Sequence, residues 1–174
     1  MAQQTDVAVQ ALQGAISIEN TGLETYLRFA RQTNDITGKN MFIRLAMDEL
    51  EHQQILTRQL NKLAEGKQWQ SENIPLSEIE QVAPTIRDKV KRIRGESGAA
   101  EIDALNTALE LERKAAAYFR KHAEIIDDVN AKDLFKRLAE WEDAHYDIIQ
   151  AELDAIIGTG FWFNIQEFRM DGKF

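Results

Sequence analysis

Apolar and small residues recur at three- and four-residue spacing over four long stretches of the chain, at about 6–32, 38–64, 99–126 and 130–157. Leu12, Ala15, Ile16, Leu23, Tyr26 and Ala30 make the stripe of the first. Phe42, Leu45, Leu56 and Leu60 make that of the second, and Phe135, Leu138, Ile149 and Leu153 that of the fourth. This spacing follows one face of an α-helix, so each stretch is predicted to be a helix that buries its stripe. The breaks TNDITGKN and DDVNAKD are short, so the first helix should pair with the second, and the third with the fourth, as antiparallel hairpins. Between the hairpins runs EGKQWQSENIPLSEIEQVAPTIRDKVKRIRGESG, which holds both prolines, is long enough to cross the bundle and is expected to contain a short helix after Ser77. Two hairpins and a long crossover make an all-α four-helix bundle. The expected organisation is one domain: a first hairpin over 6–64, the crossover over 65–98, a second hairpin over 99–157 and an aromatic tail over 158–174.

The two hairpins are copies of one another. Position 11 matches position 104, a shift of 93, and the same shift holds without a gap through 55 and 148. Identical pairs include Leu12/Leu105, Ala15/Ala108, Asp35/Asp128, Lys39/Lys132, Phe42/Phe135, Leu45/Leu138 and Ile55/Ile148. The same shift pairs Glu19 with Glu112, Glu49 with Glu142, and His52 with His145. Each hairpin therefore supplies a lone glutamate on its first helix and Glu-x-x-His on its second.

These polar residues occupy the apolar stripes themselves. Phe42, Leu45, Glu49, His52 and Leu56 advance by 3, 4, 3 and 4 residues, as do Phe135, Leu138, Glu142, His145 and Ile149. Glu19 lies between Ile16 and Leu23, and Glu112 between Leu109 and Phe119. Four carboxylates and two imidazoles should thus meet at mid-height in the bundle. Uncompensated carboxylates in an apolar interior shift their pKa values upward or cost roughly several kcal/mol each. No Lys or Arg falls on the stripes near these rungs, whereas two divalent cations would balance four carboxylates. Glutamate and histidine three residues apart share one helical face and can hold one ion. Oxygen and imidazole donors suit iron or manganese, and also zinc. Glu19, Glu49, His52, Glu112, Glu142 and His145 are the expected metal ligands, with Glu49 and Glu142 expected to bridge.

Composition narrows the chemistry further. The chain has no cysteine, which excludes thiolate metal sites, disulfides and a cysteine nucleophile within it. A net charge of −8 argues against nucleic acid or an anionic membrane as the main partner. MAQQTDVAVQ lacks the basic-then-apolar pattern of a secretory signal, and no apolar run approaches the roughly 20 residues of a membrane span. A cytoplasmic protein is the expectation.

At the ligand positions the sequence resembles the ferritin-like superfamily, and within it the rubrerythrin-like branch. ALQGAISIENTGLETY and ALNTALELERKAAAYF carry the likeness in the lone-glutamate helices, and LAMDELEHQQIL and LAEWEDAHYDII in the Glu-x-x-His helices. The resemblance covers about residues 6 to 157. It implies a carboxylate-bridged centre of two irons that reacts with dioxygen or hydrogen peroxide, in a cytoplasmic homo-oligomer, often a dimer. Rubrerythrins proper also carry a cysteine-ligated rubredoxin-type iron domain that feeds electrons to the pair. Without cysteine, this chain must take electrons from an external donor. They further carry a carboxylate three residues after the third-helix ligand, where this chain has Ala115, matched in the repeat by Gly22. The two small residues face the site and could leave space for dioxygen, peroxide or a small substrate. The expected activity is that of a non-haem di-iron oxidoreductase reducing peroxide or dioxygen. The alternatives are a ferroxidase that sequesters iron without turnover, and a helical interaction protein whose acidic centre holds nothing.

Tyr26 lies two turns beyond Glu19 on the same face. It reads either as a redox-active or hydrogen-bonding phenol beside the ligands or as core packing, and Phe119 at its counterpart position favours packing. His122 is expected at the surface or boundary, and Asp48, Glu51 and Glu140 on outward, solvated faces. Arg87, Lys89, Lys91, Arg92 and Arg94 form a basic stretch that reads as a solvated helix face rather than a docking patch. The tail GTGFWFNIQEFRMDGKF should pack on its own bundle or on a neighbouring subunit.

Overall fold

A computed structural model describes residues 2–72, 99–157, 161–162 and 165–166. Four long helices carry it: α1 (Ala2–Gln32), α2 (Ile36–Ala64), α3 (Ala99–Ile125) and α4 (Val129–Ile157). All four predicted helices are present, and the largest difference is at α1, which begins at Ala2 rather than near residue 6. The helix expected after Ser77, the basic stretch at 87–94 and most of the tail lie outside the described residues. Of the tail, Phe161–Trp162 (β1) and Ile165–Gln166 (β2) form an antiparallel pair, and β1 lies against α4.

The turns repeat like the helices. Asp35, before α2, accepts a hydrogen bond from the backbone N–H of Gly38 at 2.7 Å. Its counterpart Asp128 accepts from Asn130 and Ala131 at 2.9 and 3.1 Å. Each aspartate satisfies amide groups that the first turn of its helix leaves unpaired. At the other end of α2, Gly66 takes a φ of +73°, with Gly66 N–H bonded to Leu63 O and Lys67 N–H to Lys62 O. That paired closure is the Schellman motif, and its left-handed residue favours glycine. The chain leaving it is fixed by buried Trp69, which stacks edge-on to Phe135 at 6.4 Å.

α1 packs along α2 and α3 along α4, giving the two hairpins of a ferritin-like bundle. Apolar side chains gather at both ends. One cluster contains Leu12, Ala15, Ile55, Leu56, Phe119, Phe135 and Leu138. The other contains Leu105, Ala108, Ile148, Ile149, Tyr26, Phe42 and Leu45. Adding or subtracting 93 converts the first set into the second, residue for residue. The repeat thus acts as a pseudo-twofold relation that exchanges the ends and leaves a polar middle between two apolar plugs. Among the described residues, no helix is long and apolar enough to cross a membrane.

Candidate metal centre

The polar middle holds all six residues picked out by the repeat. Glu19 comes from α1, Glu49 and His52 from α2, Glu112 from α3, and Glu142 and His145 from α4, and each is at most 2% exposed. They form two overlapping groups, Glu19, Glu49, His52 and Glu142, and Glu49, Glu112, Glu142 and His145. Within each group, one donor atom per residue lies within 4.8 Å of the others. Glu49 and Glu142 belong to both.

The histidines turn the same ring nitrogen inward. His52 Nδ1 is 3.3 Å from Glu142 Oε1, 3.5 Å from Glu19 Oε2 and 3.9 Å from Glu49 Oε2. His145 Nδ1 is 3.4 Å from Glu49 Oε1, 3.7 Å from Glu112 Oε1 and 3.9 Å from Glu142 Oε2. The rings stack 5.8 Å apart.

Their outer edges differ. His145 Nε2 points to Asp48 Oδ2 at 3.3 Å. His52 instead packs edge-on to Trp141 at 4.5 Å. Asp48 was expected on a solvated outward face, and this is a correction: its side chain is only 13% exposed and is turned across the bundle to His145. Trp141 is its counterpart in the repeat. Glu140 is exposed as expected, Glu51 is half-buried, and His122 sits at the boundary between Tyr118 and Phe135. Tyr26 is fully buried and stacks with Phe42, and its hydroxyl donates to Glu112 Oε1. It is core packing and a hydrogen-bond partner of Glu112 at once.

Crowding and burial set the charge of the group. Burial, then the neighbouring charges of Glu49 and Glu112, drive Glu19 well above the usual carboxylate range. Burial drives Glu142 the same way, helped by Glu49, Glu112 and Glu19. Burial would also raise Glu49, but the adjoining Glu19 carboxyl and the nearness of both histidines hold it at about 2. Burial lowers His52 to about 4. It opposes the charge of His145 too, yet Asp48, Glu112 and Glu49 outweigh it and raise that imidazole. Burial and Glu112 raise the Tyr26 phenol, which stays protonated. Without a cation, the centre must therefore retain protons to limit repulsion among its carboxylates.

The atoms left over fit a cation. Both oxygens of Glu19, Glu142 Oε1, both nitrogens of His52 and His145 Nδ1 are buried without a hydrogen-bond partner. Buried polar atoms are nearly always satisfied, so a knot of inward-facing donors is suited to metal. Beside it lies a cavity of about 170 Å³, lined mainly from α1 and α3 and reaching Gly22, Tyr26, Glu49, Glu112, Ala115 and Glu142. A Cβ added at Gly22 would stand 3.1 Å from Glu49 Cδ, so glycine allows that carboxylate its position.

Sequence reasoning found the six residues through the repeat but missed Asp48. Its only signal was a mismatch, an aspartate paired with a tryptophan immediately before matched glutamates. No curated protein matches the chain, and no solved structure matches it. The family model described as Rubrerythrin matches residues 10–153. That span takes in both hairpins and all six clustered residues: the chain belongs to the rubrerythrin family.

Proposed function

We propose that the protein is a di-iron oxidoreductase that reduces hydrogen peroxide or dioxygen, using Glu19, Glu49, His52, Glu112, Glu142 and His145 as ligands and an external electron donor. The observation that carries this reading is the pair of overlapping buried groups that share Glu49 and Glu142. Two groups with two carboxylates in common suit two neighbouring ions, with Glu49 and Glu142 available to both. Two ferrous ions held there would supply one electron each, and two electrons with two protons would convert hydrogen peroxide to two waters.

The chain's own residues supply the rest. The apolar plugs at either end exclude bulk water from the centre. Gly22 and Ala115 keep the adjoining cavity open to a molecule as small as peroxide or dioxygen. The Tyr26 hydroxyl donates to Glu112 Oε1 and fixes that carboxylate. The reading includes a homodimer, which an outward apolar row on α2 supports: Ile36, Ile43, Met47 and Leu50 are 66, 40, 63 and 41% exposed. A monomer in sedimentation velocity would count against that part.

Metal analysis with an anaerobic ferrous titration tests the centre, followed by peroxide addition. Uptake of about two irons per chain and rapid peroxide loss with the iron retained are expected. Failure to take up iron would sink the reading. Accumulation of many ferric ions per chain would favour iron sequestration instead.

A further inference from the structure

The repeat gives the two ion positions equivalent ligands but different neighbours. His145 has a carboxylate, Asp48, on its outer nitrogen at 3.3 Å. The residue that would serve His52 is Trp141, whose indole offers only an N–H donor and cannot accept from an imidazole N–H. Glu112 receives the Tyr26 hydroxyl. The residue that would serve Glu19 is Phe119, which has no hydroxyl, and both Glu19 oxygens and both His52 nitrogens are buried without a partner. Two separate exchanges, Tyr/Phe and Asp/Trp, have thus put both supporting hydrogen bonds on the same half.

We propose that the two ion positions are unequal by construction. Asp48 and Tyr26 act as positioning residues for the Glu112/His145 ion, which binds first and most tightly, and the Glu19/His52 ion binds second and exchanges freely. The proposal rests on the metal-site reading above.

The physical reason lies in what each ligand must give up to bind. Asp48 holds the Nε2–H of His145, so the proton that leaves when a cation binds is the one on Nδ1. The lone pair it frees faces the centre, and the carboxylate partner makes that imidazole a stronger donor. Tyr26 holds Glu112 in one orientation before an ion arrives. Both bonds persist once it has bound. His52 and Glu19 have no such support, and each must settle its tautomer or rotamer at the moment of binding. Loss of one supporting bond of this kind typically weakens metal affinity about 10–100-fold. The cavity reaches Glu112 and Tyr26 but not Glu19, and neither histidine lines it.

The test is anaerobic titration of the metal-free full chain with ferrous ion, and with cobaltous ion as a spectroscopic probe. Two equivalents should bind in steps separated about tenfold or more, and ⁵⁷Fe at one equivalent should give a single Mössbauer doublet. Asp48→Ala and Tyr26→Phe should each weaken the first step about 10–100-fold and leave the second unchanged. Glu19→Gln should remove only the second. Phe119→Tyr adds a hydroxyl without removing packing and should tighten the second step. It also keeps the proposal testable if Asp48→Ala unfolds the protein, as judged by circular dichroism. Two indistinguishable equivalents, or an effect of Asp48→Ala and Tyr26→Phe on the weaker step, would overturn the inequality while leaving the metal site standing. Binding of no ion would overturn both.

Discussion

Phe42 and Phe135 are related by the repeat and fill opposite ends of the bundle in the same way, each fully buried in its own apolar cluster. Asp48 and Trp141 are related by the same shift of 93, yet one offers a carboxylate to a histidine and the other an aromatic face. The ends of the molecule have kept their equivalence, and the surroundings of its centre have not. Packing explains the contrast. An apolar plug tolerates exchanges such as Tyr26 for Phe119 because volume is nearly conserved. In the centre, the same exchange adds or removes a hydrogen bond to a buried glutamate.

The strongest way to break this comparison is to remove the clustered glutamates in related pairs. Glu49→Ala or Glu142→Ala should abolish binding of both ions, because each belongs to both groups. Glu19→Ala or Glu112→Ala should each leave one ion, since Ala115 supplies no spare carboxylate near Glu112. Inductively coupled plasma analysis of the purified variants reads the stoichiometry. Two ions retained in Glu112→Ala would refute that ligand assignment.

At the ends the comparison predicts sameness. Phe42→Ala and Phe135→Ala each empty a fully buried aromatic position and should each destabilise the fold by about 3–5 kcal/mol. Chemical denaturation measures both. A loss inside that range at one end and well outside it at the other would show that the ends are less alike than their clusters suggest.

Much of this architecture was legible from periodicity alone, and the reason is physical. A long amphipathic helix announces itself by a spacing that its own geometry imposes, so α1 to α4 were placed with their hairpins. The six central residues were legible because duplication repeats a constraint, and Glu49 on a Leu-rich stripe means little until Glu142 stands on the same rung. Asp48 was not legible. It flanks the stripe of α2, and whether a flanking residue meets solvent or a neighbouring helix depends on how α4 crosses, which spacing within α2 does not record. The Tyr26 hydroxyl posed the same problem: its ring was placed in the core by pattern, but its acceptor lies 86 residues away.

Metal removal and pH sharpen the contrast between the halves. Glu19 and Glu142 are raised above 4.5, so their contribution is full below that pH and is lost as the pH rises through their folded values. His145 is raised above 6.5 and its contribution is likewise lost at higher pH. His52, lowered to about 4, costs stability only in acid, below 6.5. Glu49, at about 2, contributes fully above 4.5. Above pH 6.5 only losses remain. The metal-free protein should therefore melt at a lower temperature at about pH 9 than at about pH 6.5. The iron-loaded protein should be nearly flat over that range, since its carboxylates face cations. A metal-free protein whose melting temperature rises over the same range would contradict the protonation pattern of the centre.

The smallest effect lies at the turns, where equivalence should hold again. Asp35 and Asp128 each precede the second helix of a hairpin and each accept hydrogen bonds from its first turn. Replacing either with alanine leaves backbone amides without that acceptor and should cost about 1 kcal/mol. Neither residue is near the centre, so metal stoichiometry should remain unchanged in both variants. Denaturation curves for Asp35→Ala, Asp128→Ala and the double variant then separate two causes. Equal single losses that add in the double variant indicate independent caps on equivalent hairpins. A larger loss at Asp128 would show that its turn also carries the crossover, because the neighbouring Asn130 side chain donates to Trp69 O at 3.3 Å and Asp35 has no such bridge beside it among the described residues.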